Sequence, residues 1–536
     1  MSTNNKNNNN AIEPAAQPSG WFSRFLATVE WFGNLLPHPI TLFAILSIFI
    51  VLLSGVLAYF DISVLDPRPE GASGRAADGV IQVVSLLDAD GLRRIVTGLV
   101  TNFTGFAPLG TVLVALLGVS LAEHSGLLST IMRSMVMNAS KRSVTIVIVF
   151  AGVLSNTASE LGYVVMVPLA AMIFHSLGRH PLAGLAAAFA GVSAGYSANL
   201  LIGTVDPLLA GFTESSAQII DPSYTLSAEI NWYFMIASTF LVAAMGAYVT
   251  EKIVEPRLGV YNPNEASIDL GQQKLEKPSA LEIKAMKWAG LSFVLLLALL
   301  ALTVVPENGI LRNQETGLVK GSPFLKGIVV YIFVTFAIPG FVYGKIVGTM
   351  KNDRDVIDAM AKSMSSMGLY IVLVFFAAQF VAFFKWTNLG TVLAIKGAAA
   401  LQATGLDGPE VFVLFILMCG IVNLSLGSAS AQWAITAPIF VPMLMLIGYS
   451  PEVIQAAYRI GDSVTNVITP MMSYFGLILA IGVRYKKDLG IGTLIATMLP
   501  YTLVFIVGWT LLFYVWVFMF GLPVGPGAPT YYPVAG

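Results

Sequence analysis

Apolar runs of about twenty residues, parted by short polar stretches, recur along almost the entire chain, and each is long enough to cross a hydrocarbon layer ~30 Å thick as a helix. Runs over residues 39–60, 95–121, 231–249, 288–305, 327–347, 367–384 and 491–520 predict continuous crossings. Two further patterns depart from this. Residues 143–154 hold only enough apolar positions for about half a membrane before the turn-forming SNTAS, and residues 411–422 run in the same way into NLSLGSAS. A second apolar arm follows each, so residues 143–177 and 411–447 predict re-entrant hairpins with tips near the midplane. Residues 182–212 and 451–483 are interrupted by YSANLLIGTVDP and DSVTNVITP, which predicts helices broken inside the membrane. The fold class expected is an all-α polytopic membrane protein with about nine transmembrane helices plus two re-entrant hairpins.

The irregular segments come as a pair. Pro168, Pro181, Gly191 and Ser193 are matched by Pro438, Pro451, Gly461 and Ser463, every pair 270 positions apart. Duplicated, interrupted apolar segments in two halves are the best sequence pointer to an inverted repeat with a transport site between its copies. The halves are 21–250 and 288–536, joined by a basic linker at 251–287 and preceded by a polar, low-complexity tail at 1–20 expected to be disordered. Residues 21–36, with Trp and Phe beside Arg24 and Glu30, suit an amphipathic interfacial helix. Loops carrying Arg133, Lys141, Arg142, Arg179, Lys345, Lys351, Arg354 and Arg484 should face the cytoplasm, and the acid-rich loop at 61–94 the outside. The N-terminus is then cytoplasmic. The base-poor connection at 385–410, set against its counterpart near Arg133, is what inversion of the second half predicts.

Composition excludes other classes. With 56% hydrophobic and 11% charged residues this is no soluble globular protein, and a net charge of −1 without a basic stripe argues against a nucleic-acid partner. The single cysteine, Cys419, sits in an apolar run and forbids an internal disulfide or a cysteine metal cage. The histidines at 38, 124, 175 and 180 lack metal-ligand spacing, and there is no Walker-type phosphate loop. Residues 191–195, GVSAG, fit a nucleophile pattern but not its strand-turn-helix setting. No cofactor is expected beyond a coupling ion, H⁺ or Na⁺.

Charge and polarity inside apolar sequence mark the candidate site, because ionisable groups in a membrane are costly unless they serve a pathway. Arg459 and Asp462, three apart on one helical face, are either a structural ion pair or functional charges. Asp206, beside Pro207, is either a helix cap or a carboxylate that exchanges a proton or cation. The hairpin tips offer Asn156, Thr157 and Ser159 in one half and Asn423, Ser425, Ser428 and Ser430 in the other. Their hard neutral oxygens suit Na⁺, and the helix N-termini that follow suit an anionic substrate group. Trp433 can stack on an aromatic substrate or simply pack the bundle.

SNTASELGYVVMVPLAAM, GYSANLLIGTVDPLLAG, NLSLGSASAQWAITAPIFVPM and AAYRIGDSVTNVITPMM together closely resemble the AbgT family of bacterial transporters, over all but the polar tail. The resemblance implies a bowl-shaped homodimer in the bacterial inner membrane, linked to uptake of p-aminobenzoyl-glutamate and to efflux of sulfonamide antimetabolites. It implies a substrate path at Asp206, Ser430, Trp433, Pro451, Arg459, Asp462 and Pro470, and a cation site at Asn423 and Asp462; residue type alone adds Asn156. The function expected is secondary active transport of an aromatic, amide- or sulfonamide-bearing anion on a proton or sodium gradient, and not enzymatic. A sodium-coupled di- or tricarboxylate transporter of the same architecture is the nearer rival. An intramembrane hydrolase using Ser193 or the paired aspartates is the more distant one.

Overall fold

The computed structural model describes residues 37–71, 75, 77–158, 161–267, 277–319 and 321–533; the expected tail, the expected interfacial helix and Ser159 lie outside them. The first half contains α1 (Pro39–Tyr59), a two-stranded hairpin of β1 (Ser63–Leu65) and β2 (Val80–Gln82), α2 (Ala89–Thr104), α3 (Ala107–His124), α4 (Leu127–Met137), α5 (Val144–Ser155), α6 (Leu161–Ser176), α7 (Pro181–Phe189), α8 (Val205–Ala217) and α9 (Trp232–Leu258). The second half contains α10 (Ala280–Val304), α11 (Ile328–Val347), α12 (Asp353–Ser366), α13 (Gly368–Trp386), α14 (Leu389–Ala403), α15 (Val411–Leu426), α16 (Ala429–Leu446), α17 (Pro451–Val464), α18 (Phe475–Tyr485) and α19 (Ile491–Met519). Among the described residues eight helical spans are long and apolar enough to cross a membrane. The protein is an all-α polytopic membrane protein.

Several polar or short stretches hold more structure than their charge patterns indicate. The run expected to cross once at 95–121 belongs to two helices, α2 and α3, parted at Gly105 and Phe106, where Pro108 starts the second. Residues 61–94, expected to be a polar loop, pair β1 with β2 and then start α2, whose first turn is held by the Asp88 carboxylate accepting from Gly91 N at 2.6 Å. The connection expected at 385–410 contains α14. Its Ala- and Leu-rich sequence favours helix, and one face packs on α16. Charge sets which side of a membrane a loop lies on; it is silent on whether the loop is helical.

The two halves are built alike down to single contacts. Each interrupted helix starts with proline at N1 behind a side chain that accepts from the helix: His180 Nδ1 from Leu182 N at 3.2 Å ahead of α7, and Ser450 Oγ from Val453 N at 3.3 Å ahead of α17. A methyl group on Gly191 would lie 2.4 Å from the Val149 carbonyl oxygen, and one on Gly461 would lie 2.4 Å from that of Ile416. Both glycines are there so that a helix backbone can touch the neighbouring α5 or α15 backbone. At the tips, Thr157 Oγ1 donates to Asn199 Oδ1 at 3.0 Å, and Thr469 Oγ1 donates to the Leu424 carbonyl at 2.7 Å. The second arms then cross over, α6 packing on α18 and α16 on α8. Each half therefore supplies a wall for the other's interrupted helix.

Candidate functional site

Helix α17 lies at the centre, and all of its side chains are buried, Arg459 and Asp462 among them. Buried charge of this kind requires partners, because a desolvated unpaired ion costs several kcal/mol. Arg459 finds its partner across the molecule. Its Nη2 donates to Asp206 Oδ1 at 2.6 Å, and its Nε donates to Asn231 Oδ1 at 3.1 Å. The structural pairing of Arg459 with Asp462 considered from sequence is thus replaced by a bridge between the two halves. Asp206 lies in the first turn of α8, where its other oxygen accepts from Gly203 N at 2.6 Å. Capping and ion pairing are both carried by this one carboxylate.

A polar shell fixes the pair. Asn231 Nδ2 donates to the Glu452 carbonyl at 2.7 Å, and Gln455 Nε2 donates to Asn231 Oδ1 at 2.9 Å. Thr213 Oγ1 donates to Gln455 Oε1 and accepts from Trp433 Nε1 at 2.8 Å. The Trp433 ring is fully buried and stacks on Tyr458 with centroids 4.1 Å apart. Glu452, Gln455 and Arg459 share one face of α17 by their spacing, so a single helix face carries the shell from its N-terminus to the ion pair.

A second cluster lies about one turn further along α17. Asn423, near the end of α15, is fully buried, and its Nδ2 donates to the Asp462 carbonyl at 2.7 Å, Thr465 Oγ1 at 2.9 Å and Asn466 Oδ1 at 2.7 Å. Tyr458 Oη donates to the Ala429 carbonyl at 2.6 Å and lies 3.3 Å from Asp462 Oδ1. Asn423 Oδ1 and Asp462 Oδ2 are buried acceptors with no donor among the described residues. Two such oxygens on touching residues, one of them from a carboxyl group, fit the needs of a small hard cation. In the first half Asn156 is also buried, and both polar atoms of its side chain lack a partner among the described residues.

Asp206, Trp433, Arg459, Asp462 and Asn423 are therefore gathered on or against α17. Ser430 stands half-buried in the first turn of α16, 3.4 Å from Ser428 Oγ through its own hydroxyl. Pro451 sits at the start of α17, about 16 Å along the axis from Asp462. Pro470 lies half-buried in the interruption between α17 and α18. Asn231, Gln455, Tyr458, Thr213 and Asn466 are site residues that sequence patterning did not single out. For Gln455 and Tyr458 the available signal was their nearness to Arg459 on one short helix. Among the described residues no group of three or more His, Cys, Asp or Glu side chains is arranged for a metal ion.

Interrupted helices bridged by a buried charge pair are a construction found in membrane transporters. The chain belongs to the AbgT family: residues 24–532 match the profile described as "AbgT putative transporter family". It is 38% identical over 515 residues to the p-aminobenzoyl-glutamate transport protein of Escherichia coli (strain K12), covering 96% of this chain and 98% of that one. Among solved structures it is similar to Neisseria gonorrhoeae MtrF, described as illuminating a class of antimetabolite efflux pumps, with 63% identity, a TM-score of 0.90, and 94% of this chain and 100% of that chain covered. It is also similar to the Alcanivorax borkumensis YdaH transporter, with 48% identity, a TM-score of 0.84, and coverage of 91% and 100%.

Proposed function

We propose that this chain is a secondary active transporter of p-aminobenzoyl-glutamate-like aromatic anions, sulfonamide antimetabolites, or both, driven by a proton or sodium gradient. The observation that carries this is the buried Arg459–Asp206 bridge between the halves, set beside the Trp433–Tyr458 stack. A guanidinium is a good bidentate partner for a carboxylate or sulfonyl group, and Asp206 already occupies that position. Protonation of Asp206 removes its charge and frees Arg459 for the substrate anion; departure of the proton restores the bridge and expels the anion. Asn423 and Asp462 would hold Na⁺ where sodium is the coupling ion, with Asn156 as a candidate cation ligand in the first half. The names of the relatives support the substrate class. The base-rich face, with Arg133, Arg179, Lys345 and Arg484, is the cytoplasmic one in this proposal, in a bacterial inner membrane, with the N-terminus inside and the protein acting as a homodimer.

The deciding experiment is flux in liposomes with pH and sodium gradients imposed separately. Uphill movement of labelled p-aminobenzoyl-glutamate or a sulfonamide under one of them is the expected result; movement under neither overturns the proposal. Within that assay, Trp433→Ala should raise KM for aromatic substrates by about tenfold, the upper range of an aromatic contact, and change KM for a simple dicarboxylate much less. Equal changes for both classes would remove Trp433 from substrate selection and favour the dicarboxylate reading.

A further inference from the structure

A cavity of about 830 Å³ opens beside the ion-pair site. Its walls are one side of α8, the connection from α8 to α9, the start of α17 and the C-terminal strap at 526–533. Among the described residues Glu214, Asp221, Glu229 and Glu452 line it, together with the cation Lys326. Most of these carboxylates are engaged in holding the connection in shape. Glu214 accepts from Leu226 N at 3.1 Å and Gln218 Nε2 at 3.2 Å, and Asp221 accepts from Ser223 N at 3.0 Å and Ser223 Oγ at 2.7 Å. Glu452 accepts from Tyr224 Oη at 2.9 Å, and Tyr532 Oη lies 3.5 Å from Asp221. Glu229 is the exception. It is 2% exposed; Oε1 accepts from Ser227 Oγ, and Oε2 is a buried acceptor with no donor among the described residues.

The cavity is wired to the ion pair. Pro207, next in sequence to Asp206, lines it directly. Asn231, two residues beyond Glu229, joins the Glu452 carbonyl to the Arg459 Nε that accompanies the Asp206 bridge. An anionic substrate would be repelled by this lining, whereas a small cation would be concentrated by it. We propose that the cavity is the loading vestibule for the coupling cation, hydronium or Na⁺, with the unpartnered oxygen of Glu229 as its first ligand and Glu214 and Glu452 as the surrounding charge. The coupling cation and the anionic substrate then reach the residues around α17 by different routes. Burial pushes the Glu229 carboxyl above the ordinary carboxylate range, the direction that favours proton uptake there.

The proposal rests on gradient-driven transport, so its test begins from wild-type protein that shows such flux. The half-saturating cation concentration on the cavity side is measured twice, varying Na⁺ at fixed pH and varying pH at fixed Na⁺. Glu229→Gln should raise it by about tenfold, the scale of one hydrogen-bonded charge, with a smaller effect on maximal rate, and Glu229→Asp should recover part of the shift. Lys326→Gln, on an exposed residue, should lower it by about twofold, a change of sign that impaired folding cannot produce. A shift confined to the pH arm identifies hydronium, and one confined to the sodium arm identifies Na⁺; either supports the vestibule. Unchanged half-saturation in both arms for both Glu229→Gln and Lys326→Gln overturns it. Failure of the wild-type protein to move substrate under any gradient overturns instead the function on which it rests.

Discussion

Arg459→Ala is expected to destabilise the protein by about 3–5 kcal/mol and to abolish gradient-driven transport, because it strands the Asp206 carboxylate in a site 3% exposed with one backbone donor, Gly203 N. The size comes from the partner left behind, not from the worth of the bridge. Removing both charges tests this. Asp206→Asn with Arg459→Gln keeps shape and some hydrogen bonding while deleting the buried ions, so the double variant should unfold closer to wild type than Arg459→Ala does. Transport should stay lost in the double variant, because neither the Asp206 carboxyl nor the Arg459 guanidinium of the proposed exchange remains. Thermal unfolding in detergent and flux in liposomes measure the two separately. A double variant no more stable than the single one would show that the bridge is not the reason for the loss. A transporting Arg459→Ala would remove the guanidinium from the mechanism.

The partner of Arg459 was not legible in the chain, though the charge itself was. An arginine and two aspartates in apolar sequence stand out because each is expensive there, and cost is a property of single positions. Pairing is a property of the fold. Asp206 and Arg459 are 253 positions apart, and nothing in a hydrophobic pattern distinguishes that contact from the i,i+3 neighbour Asp462. The neutral members of the shell were hidden for a related reason. Asn231 precedes α9 and reads as a cap, yet its amide side chain joins Glu452, Gln455 and Arg459. A neutral amide costs little at a helix end, so composition raises no flag there.

The relation between the halves was visible in four spaced residues because proline and glycine mark backbone, and backbone is what two copies of a fold share. The same offset that aligns Pro181 with Pro451 and Gly191 with Gly461 sets Asp206 against Gly476, and Arg459 and Asp462 against Phe189 and Val192. Scaffold positions are duplicated, and the charges are not. Such a division suits a carrier that needs two similar rigid frames and one asymmetric site between them. It also explains why a repeat offset read from the sequence cannot allocate ligands to either half.

Gly461→Ala and Gly191→Ala should each destabilise the protein by about 2–3 kcal/mol, and by similar amounts, since each new methyl group would meet a backbone carbonyl at 2.4 Å. A carbonyl within a helix cannot rotate away, so α17 must move off α15, or the turn after α7 off α5. Gly290→Ala in α10 is the control: its methyl group meets nothing within 4 Å, and helix propensity there favours alanine by about 0.5–1 kcal/mol. The two repeat variants should differ in function more than in stability. Displacing α17 moves Arg459 and Asp462 relative to Asp206 and Asn423, whereas the turn after α7 carries no charged residue of its own. Residual flux per folded molecule should therefore be lower for Gly461→Ala. Wild-type unfolding temperatures in both variants would mean that the close approaches to α5 and α15 are not what hold these helices in place within each half.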